Sequence, residues 1–192
     1  ILQAIRREGM LAPPGTRYLY SDLNYILLGA LLERITGRPL PALAHERIFA
    51  RLGMRESAFN PPEAWRDRIA PTQMVDGLVR HGVVHDPLAF RMGGAAGHAG
   101  LFSTAEDLAR FAQAILNGGV HGGGRILAPR TVALMVSPLA LPDSRGRRTL
   151  GWDVDSPAAV RGIHSSPGSF GHTGFTGTAV WIDRPTETFV VF

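Results

Sequence analysis

A chain of 192 residues, 45% hydrophobic and 19% charged, is long enough to bury a core and ordinary for a soluble globular protein. Its longest apolar candidate for a membrane span, Tyr25 to Leu32, is interrupted by Gly29 and falls short of the roughly 18 residues such a helix needs, so no transmembrane segment is expected. The net charge of +4 comes from 20 basic residues, every one an Arg, against 16 acidic ones; the Arg are scattered rather than set in a stripe with interleaved aromatics, which speaks against a nucleic-acid partner.

Without Cys there is no disulfide framework and no thiolate metal site, and the compartment stays open. The stretch Ile1-Leu2-Gln3-Ala4-Ile5-Arg6-Arg7 has no initiating Met, no basic region ahead of an apolar one and no small-residue cleavage site, so it reads as the interior of a longer protein. Pro13-Pro14-Gly15-Thr16 signals a turn, and Arg17-Tyr18-Leu19-Tyr20 an extended stretch. Ser21 and Asp22 are natural N-caps for an apolar run through Tyr25, Ile26, Leu28, Leu31, Leu32 and Ile35 that stops at Gly37. Tyr20 is thereby set at a helix entrance.

A second helical pattern runs from Ala42 to Leu52. From Phe59 to about His98 the chain is Pro-rich and aperiodic, the mark of a functional loop or a partly structured insertion. Ser103 and Glu106 have capping-box spacing ahead of one helical face, Leu108, Phe111, Ala112, Ile115 and Leu116, which ends at Gly118-Gly119. Pro129 opens another helix through Val132, Leu134 and Met135, up to Pro138. Arg145, Arg147 and Arg148 then fall in a segment that reads as an exposed loop. Strands are predicted over Thr149 to Val154, Gly177 to Asp183 and Thr188 to Phe192, the last two joined into a hairpin through Asp183-Arg184-Pro185-Thr186-Glu187. Helices first and an antiparallel sheet last predict an α+β arrangement with the helices packed on the sheet.

Two clusters invite chemistry. His81, His85, Asp86 and His98 raise a metal hypothesis, because His81 and His85 are four apart as on a zinc-binding helix. The intervening Gly82-Val83-Val84 lacks the Glu of His-Glu-x-x-His, so loop histidines and a turn at Asp86-Pro87 are the simpler reading. No metal and no cofactor is assigned. Trp152 and Trp181 read as sheet core or pocket wall, with nothing to tell them apart.

The second cluster consists of three segments in order. The first is Tyr20-Ser21-Asp22 within Pro14 to Gly29. The second is Gly100-Leu101-Phe102-Ser103-Thr104-Ala105-Glu106-Asp107-Leu108-Ala109. The third is His172-Thr173-Gly174 within Ser169-Phe170-Gly171-His172-Thr173-Gly174-Phe175-Thr176-Gly177. A lone His-Thr-Gly would carry nothing. The three together resemble the serine β-lactamase and penicillin-binding-protein superfamily, in the branch of class C β-lactamases, DD-peptidases and related esterases, over nearly the whole chain.

That resemblance implies a serine hydrolase working through an acyl-enzyme on a D-alanyl peptide, a β-lactam or a small ester. It makes Tyr20 the proton relay. A free phenol titrates near 10, so it must sit beside cations or hand a proton onward. Relatives often carry Lys at the position of His172, where its charge supplies part of the field; a His there favours a relay over a standing phenolate and leans toward a peptidase or esterase. Asp22 occupies a position usually held by Asn. An ionised Asp only accepts hydrogen bonds, so recognition of a substrate amide carbonyl there is in question. Thr173 and Gly174 would run beside the substrate, and the Phe175 N–H would be the second oxyanion donor, the first belonging to the nucleophile. Gly171, Gly174 and Gly177 would permit close approach of a ligand or another chain.

Tyr20 could instead be a core aromatic, and His172 a strand residue satisfied by a backbone carbonyl. The family's nucleophile lies in Ser-x-x-Lys upstream of the Tyr segment, and a chain without Lys cannot contain it. Residues 1–192 therefore read as one partial catalytic domain, lacking the nucleophile segment upstream and a final strand or helix downstream, and inactive alone. The apolar face of Leu108, Phe111 and Ile115 is expected to lie bare. The substrate would be a small molecule or peptidoglycan-like. The rival reading is a catalytically dead homologue serving as a binding or regulatory module; a metal hydrolase is a third.

Overall fold

The computed structural model describes residues 1–142, 146–156, 159 and 161–192. Two compact units emerge from the packing. The first comprises Ile1–Met10, Tyr20–Ala50 and Arg55–Thr104; the second comprises Leu11–Leu19, Arg51–Met54 and Ala105–Phe192.

The first unit opens with a short helix, α1 (Leu2–Ile5), and is dominated by α2 (Asp22–Thr36), which Gly37 ends in the left-handed conformation by donating its N–H to the Glu33 carbonyl at 2.8 Å. The expected helix from Ala42 begins slightly earlier as α3 (Leu40–Ala44) and continues through a π-helical turn, His45–Phe49. Helix α4 (Ala50–Leu52) carries the chain onward. The aperiodic stretch is partly structured: it holds a 3₁₀ turn (Glu63–Arg68), a ribbon of β2 (Met74–Val75) and β3 (Leu78–Val79), and α5 (Pro87–Arg91). Strand β1 (Ala58–Phe59) pairs with β4 (Leu101–Phe102).

Val84, Ala89 and Ala96 form a small core, flanked by Met92 and Ala99. Ala96 and Ala99 bond each other across a tight turn, and this turn packs on α2 where Gly29 and Gly97 meet. A Cβ on Gly29 would lie 3.1 Å from the Gly97 nitrogen, and one on Gly97 would collide with the Tyr25 carbonyl oxygen. Only Ile26 and Gly29 of α2 are buried. Leu27, Leu28, Leu31, Leu32 and Ile35 are exposed.

The second unit meets the α+β expectation. Helix α6 (Ala105–Leu116) packs on an antiparallel sheet whose order is β11 (Thr188–Val191), β10 (Ala179–Asp183), β9 (Phe170–Thr173). Ala112, Ile115, Val132, Val136, Val154, Phe170 and Ile182 make the core, with Phe111 and Leu116 packed against it. Phe111 and Ile115, on the α6 face expected to be bare, are thus packed into the unit's own core. Among the described residues, α2 leaves a run of apolar side chains open.

Helix α7 (Pro129–Met135) forms as its Pro start predicts. A ribbon of β5 (Val120–His121) and β6 (Gly124–Arg125) turns through Gly122 and Gly123, both at positive φ and with open space where a Cβ would lie. The strand expected over Thr149 to Val154 is not formed. Gly151, at φ 104°, bends it into a turn closed by Thr149 N–H to the Trp152 carbonyl at 2.9 Å. The strand lies just before it, β8 (Arg147–Arg148), paired with β7 (Leu139–Ala140). Arg147 and Arg148 are accordingly half-buried and ion-paired rather than loop residues, while Arg145 lies outside the described residues.

The two tryptophans part company. Trp152 is core, its ring 6.2 Å from Phe111 and 5.7 Å from Phe170, whereas Trp181 lies over Gly171.

Candidate active site

Tyr20 sits at the mouth of α2 and is 60% exposed in this chain. Ser21 holds the N-cap position in an extended conformation, but its side chain makes no capping bond; the first turn is closed by Asn24 N–H to the Ser21 carbonyl at 3.4 Å. Asp22 is the first residue of the helix, where the positive end of the helix dipole favours its charge. Both belong to the first unit.

In the second unit His172, Thr173, Gly174 and Phe175 follow one another at the end of β9. The register pairs His172 with Val180 and Thr173 with Ala179. The Gly174 N–H then donates to the Thr178 carbonyl at 2.6 Å, so the chain turns sharply and leaves Phe175 93% exposed. The His172 ring is tied down by its Nδ1, 2.7 Å from the Thr173 carbonyl oxygen. A carbonyl can only accept, so Nδ1 carries the proton and Nε2 is the accepting nitrogen of the neutral ring. The backbone bond expected of a strand histidine is thus present, and it also fixes the tautomer.

The glycines around this segment serve close approach, but to the chain's own strand. A Cβ on Gly171 would strike the Val180 carbonyl and the Trp181 ring, and one on Gly174 would strike the Thr178 hydroxyl. Gly177 is needed for a different reason, its φ of 94°.

The central segment departs from the expected capping box. Helix α6 begins at Ala105, and the Ser103 hydroxyl turns to that of Ser57, 2.7 Å away. Glu106 pairs with Arg110.

The histidine cluster is likewise spoken for locally. The His81 ring is bonded to the Ile69 carbonyl at 2.7 Å and the His85 ring to the Gln73 amide at 2.6 Å. His98, almost fully buried, bonds Asp86 at 2.8 Å through Nε2, and Asp86 also accepts from the Ala89 N–H to cap α5. Burial pushes the Asp86 carboxyl up, but the Ala89 N–H and the His98 ring outweigh it and hold Asp86 below the usual carboxylate range.

Sequence reasoning missed three residues here. Tyr18 and Arg148 are 130 positions apart, yet Arg148 Nη1 lies 3.0 Å from the Tyr18 hydroxyl and 3.2 Å from Asp153 Oδ2. No spacing rule reaches so far.

The profile of the family described as Beta-lactamase matches residues 1–192. A protein of Escherichia coli (strain K12) named "Putative D-alanyl-D-alanine carboxypeptidase" is 35% identical over 214 aligned residues, which take in 99% of this chain and 48% of that protein. A protein of the same name from Salmonella agona is 34% identical over 99% of this chain. The chain spans about half the length of the curated relatives it matches. Among solved structures, a penicillin-binding-protein homologue from Caulobacter crescentus superposes with a TM-score of 0.69 at 21% identity, over 96% of this chain and 55% of that one. A variant of simvastatin synthase from Aspergillus terreus gives 0.72 at 22% identity, over 100% and 53%. These likenesses bear on the fold.

Proposed function

The chain belongs to the beta-lactamase family, and from that premise we propose that it supplies about half the active site of a serine hydrolase that works through an acyl-enzyme. Tyr20-Ser21-Asp22 at a helix mouth, followed in chain order by His172-Thr173-Gly174 on an edge strand, is the observation that carries this reading. Residues 1–192 act as one partial catalytic domain, and the nucleophile lies in Ser-x-x-Lys outside them, since no Lys occurs here.

In acylation the serine Oγ bonds to the substrate carbonyl carbon, and its proton passes through the relay to the leaving nitrogen or oxygen. Water then reverses the sequence. Tyr20 holds and forwards the proton. His172 assists through hydrogen bonding or charge from a ring fixed by Thr173. The Phe175 N–H stabilises the oxyanion together with the N–H of the nucleophile. Thr173 and Gly174 line the substrate, and Asp22 accepts from it. A D-alanyl peptide is the substrate class favoured by the relatives' name, with a β-lactam or a small ester as the alternatives.

The test is intact-mass spectrometry after incubation with a fluorophosphonate or a labelled penicillin. Residues 1–192 alone should take up no label, whereas the protein extended upstream through Ser-x-x-Lys should be labelled at that serine. In the extended protein Tyr20→Phe should slow acylation by about 10² to 10⁴. A stoichiometric adduct on any serine of residues 1–192 would overturn the reading. No adduct on the extended protein would favour a binding or regulatory module.

A further inference from the structure

We infer that Arg148 and Asp153 are positioning residues, one buried ion pair that ties down both the segment leading into Tyr20 and the strand bearing His172. The inference rests on the hydrolase reading above.

The pair is well enclosed, with the Arg148 side chain 14% and the Asp153 side chain 8% exposed. Burying two charges costs desolvation that their attraction seldom exceeds, so such a pair is weak evidence for stability and asks for another reason. The reason lies in what else each partner holds. Arg148 Nη1 donates to the Tyr18 hydroxyl at 3.0 Å, and its guanidinium lies 5.9 Å from the centre of the Tyr18 ring. Tyr18 stands two residues before Tyr20 on a stretch that belongs to no helix or strand. Arg148 thus holds the start of the short stretch that leads in sequence to Tyr20.

Asp153 does the corresponding work on β9. Its backbone exchanges both hydrogen bonds with Gly171, at 2.8 and 2.9 Å, and His172 is the next residue. Its carboxylate is held from the other side by Ser156, whose N–H lies 3.0 Å from Oδ1 and whose hydroxyl lies 2.6 Å from Oδ2. The isolated pairings Arg148 with Asp153 and Asp153 with Gly171 extend this brace from β8 to β9. Neither residue is placed against substrate. Both act through Tyr18 and Gly171.

The experiment uses the full-length protein and the variants Tyr18→Phe, Arg148→Met and Arg148→Lys. Hydrogen exchange is followed in peptides covering residues 18–22 and 170–173, alongside kcat and KM for p-nitrophenyl acetate. Tyr18→Phe should speed exchange in 18–22 only, and Arg148→Met in both peptides. Each should lower kcat by about 10- to 100-fold with KM changed by less than about threefold, because a reacting group displaced by an ångström costs that order of rate. Arg148→Lys, which keeps the charge, should recover most of both readouts. Should Arg148→Met fail to fold, Tyr18→Phe leaves the ion pair intact and carries the test.

Unchanged exchange in 18–22 with Tyr18→Phe would overturn the inference. So would exchange that rises equally in every peptide, or KM that moves as much as kcat. A wild-type protein that neither turns over the ester nor takes up the fluorophosphonate or penicillin label would sink the hydrolase reading instead, while the exchange pattern would still decide whether the brace exists.

Discussion

His172 donates from Nδ1 to its neighbour's carbonyl, which leaves the ring one accepting nitrogen while neutral and a second donor once charged. Its contribution should follow hydrogen bonding and charge rather than shape. In the full-length protein His172→Lys should keep measurable ester hydrolysis while His172→Ala loses at least about tenfold more, because Ala can neither donate nor carry charge. Equal loss in the two variants would remove the role assigned here. At this scale the motif residues were legible because their neighbours in sequence are also their neighbours in space. Tyr18, Arg148 and Asp153 were not, since Tyr18 meets Arg148 only after 130 residues of chain have folded. Ser103 shows the opposite failure: the spacing to Glu106 was right for a cap, but Ser57 offered the hydroxyl another partner.

Among the elements, α2 and α6 were legible from apolar periodicity, yet periodicity does not say what covers an apolar face. Phe111 and Ile115, on the α6 face that looked uncovered, are packed into the core, and α2, apolar on most sides, buries only Ile26 and Gly29. The strand misplaced at 149–154 failed for a backbone reason, because Gly151 takes a φ no β residue adopts. What fastens α2 to the 96–99 turn is the absence of side chains at Gly29 and Gly97. Gly97→Ala would push a methyl group into the Tyr25 carbonyl, a helix backbone atom with little room to move. It should destabilise the full-length protein by about 1–3 kcal/mol, read from the urea midpoint, while Gly93→Ala, whose Cβ would meet nothing within 4 Å, should suffer only from its positive φ.

For the molecule as a whole, acid is the informative stress. Asp155 is held below the ordinary carboxylate range by its hydrogen bonds with Arg147, and Asp183 lies below it because the Ser166 and Thr186 bonds outweigh the burial that would raise it. Asp86 is lowered as well. A carboxylate whose folded pKa is depressed adds stability that is complete above its unfolded value, about 3.9, and is lost as pH falls through the folded value. Urea midpoints of the full-length protein should therefore be insensitive to these three groups above about pH 5 and fall steeply below about pH 4. Asp155→Asn should lower the neutral midpoint and flatten that acid limb. A limb as steep as that of the wild type would show that Asp155 does not contribute to it. The α+β class was legible at this scale from element order alone, whereas the hydrogen bonds and ion pairs that lower these carboxylates were hidden because partners such as Arg147 with Asp155 and Ser166 with Asp183 meet only in the folded chain.

The ribbon between β5 and β6 has a consequence for how such a chain can vary. A Cβ on Gly122 or Gly123 would meet nothing within 4 Å, and the pairing of Val120 with Arg125 lies behind the tip, so a longer tip is expected to be tolerated. The turn from Ala96 to Ala99 has no such latitude, since Gly97 is already in contact with α2. Lineages of this sequence are expected to gain and lose residues at the ribbon tip while the turn keeps its length. An epitope tag or a fluorescent domain would best be spliced between Gly122 and Gly123.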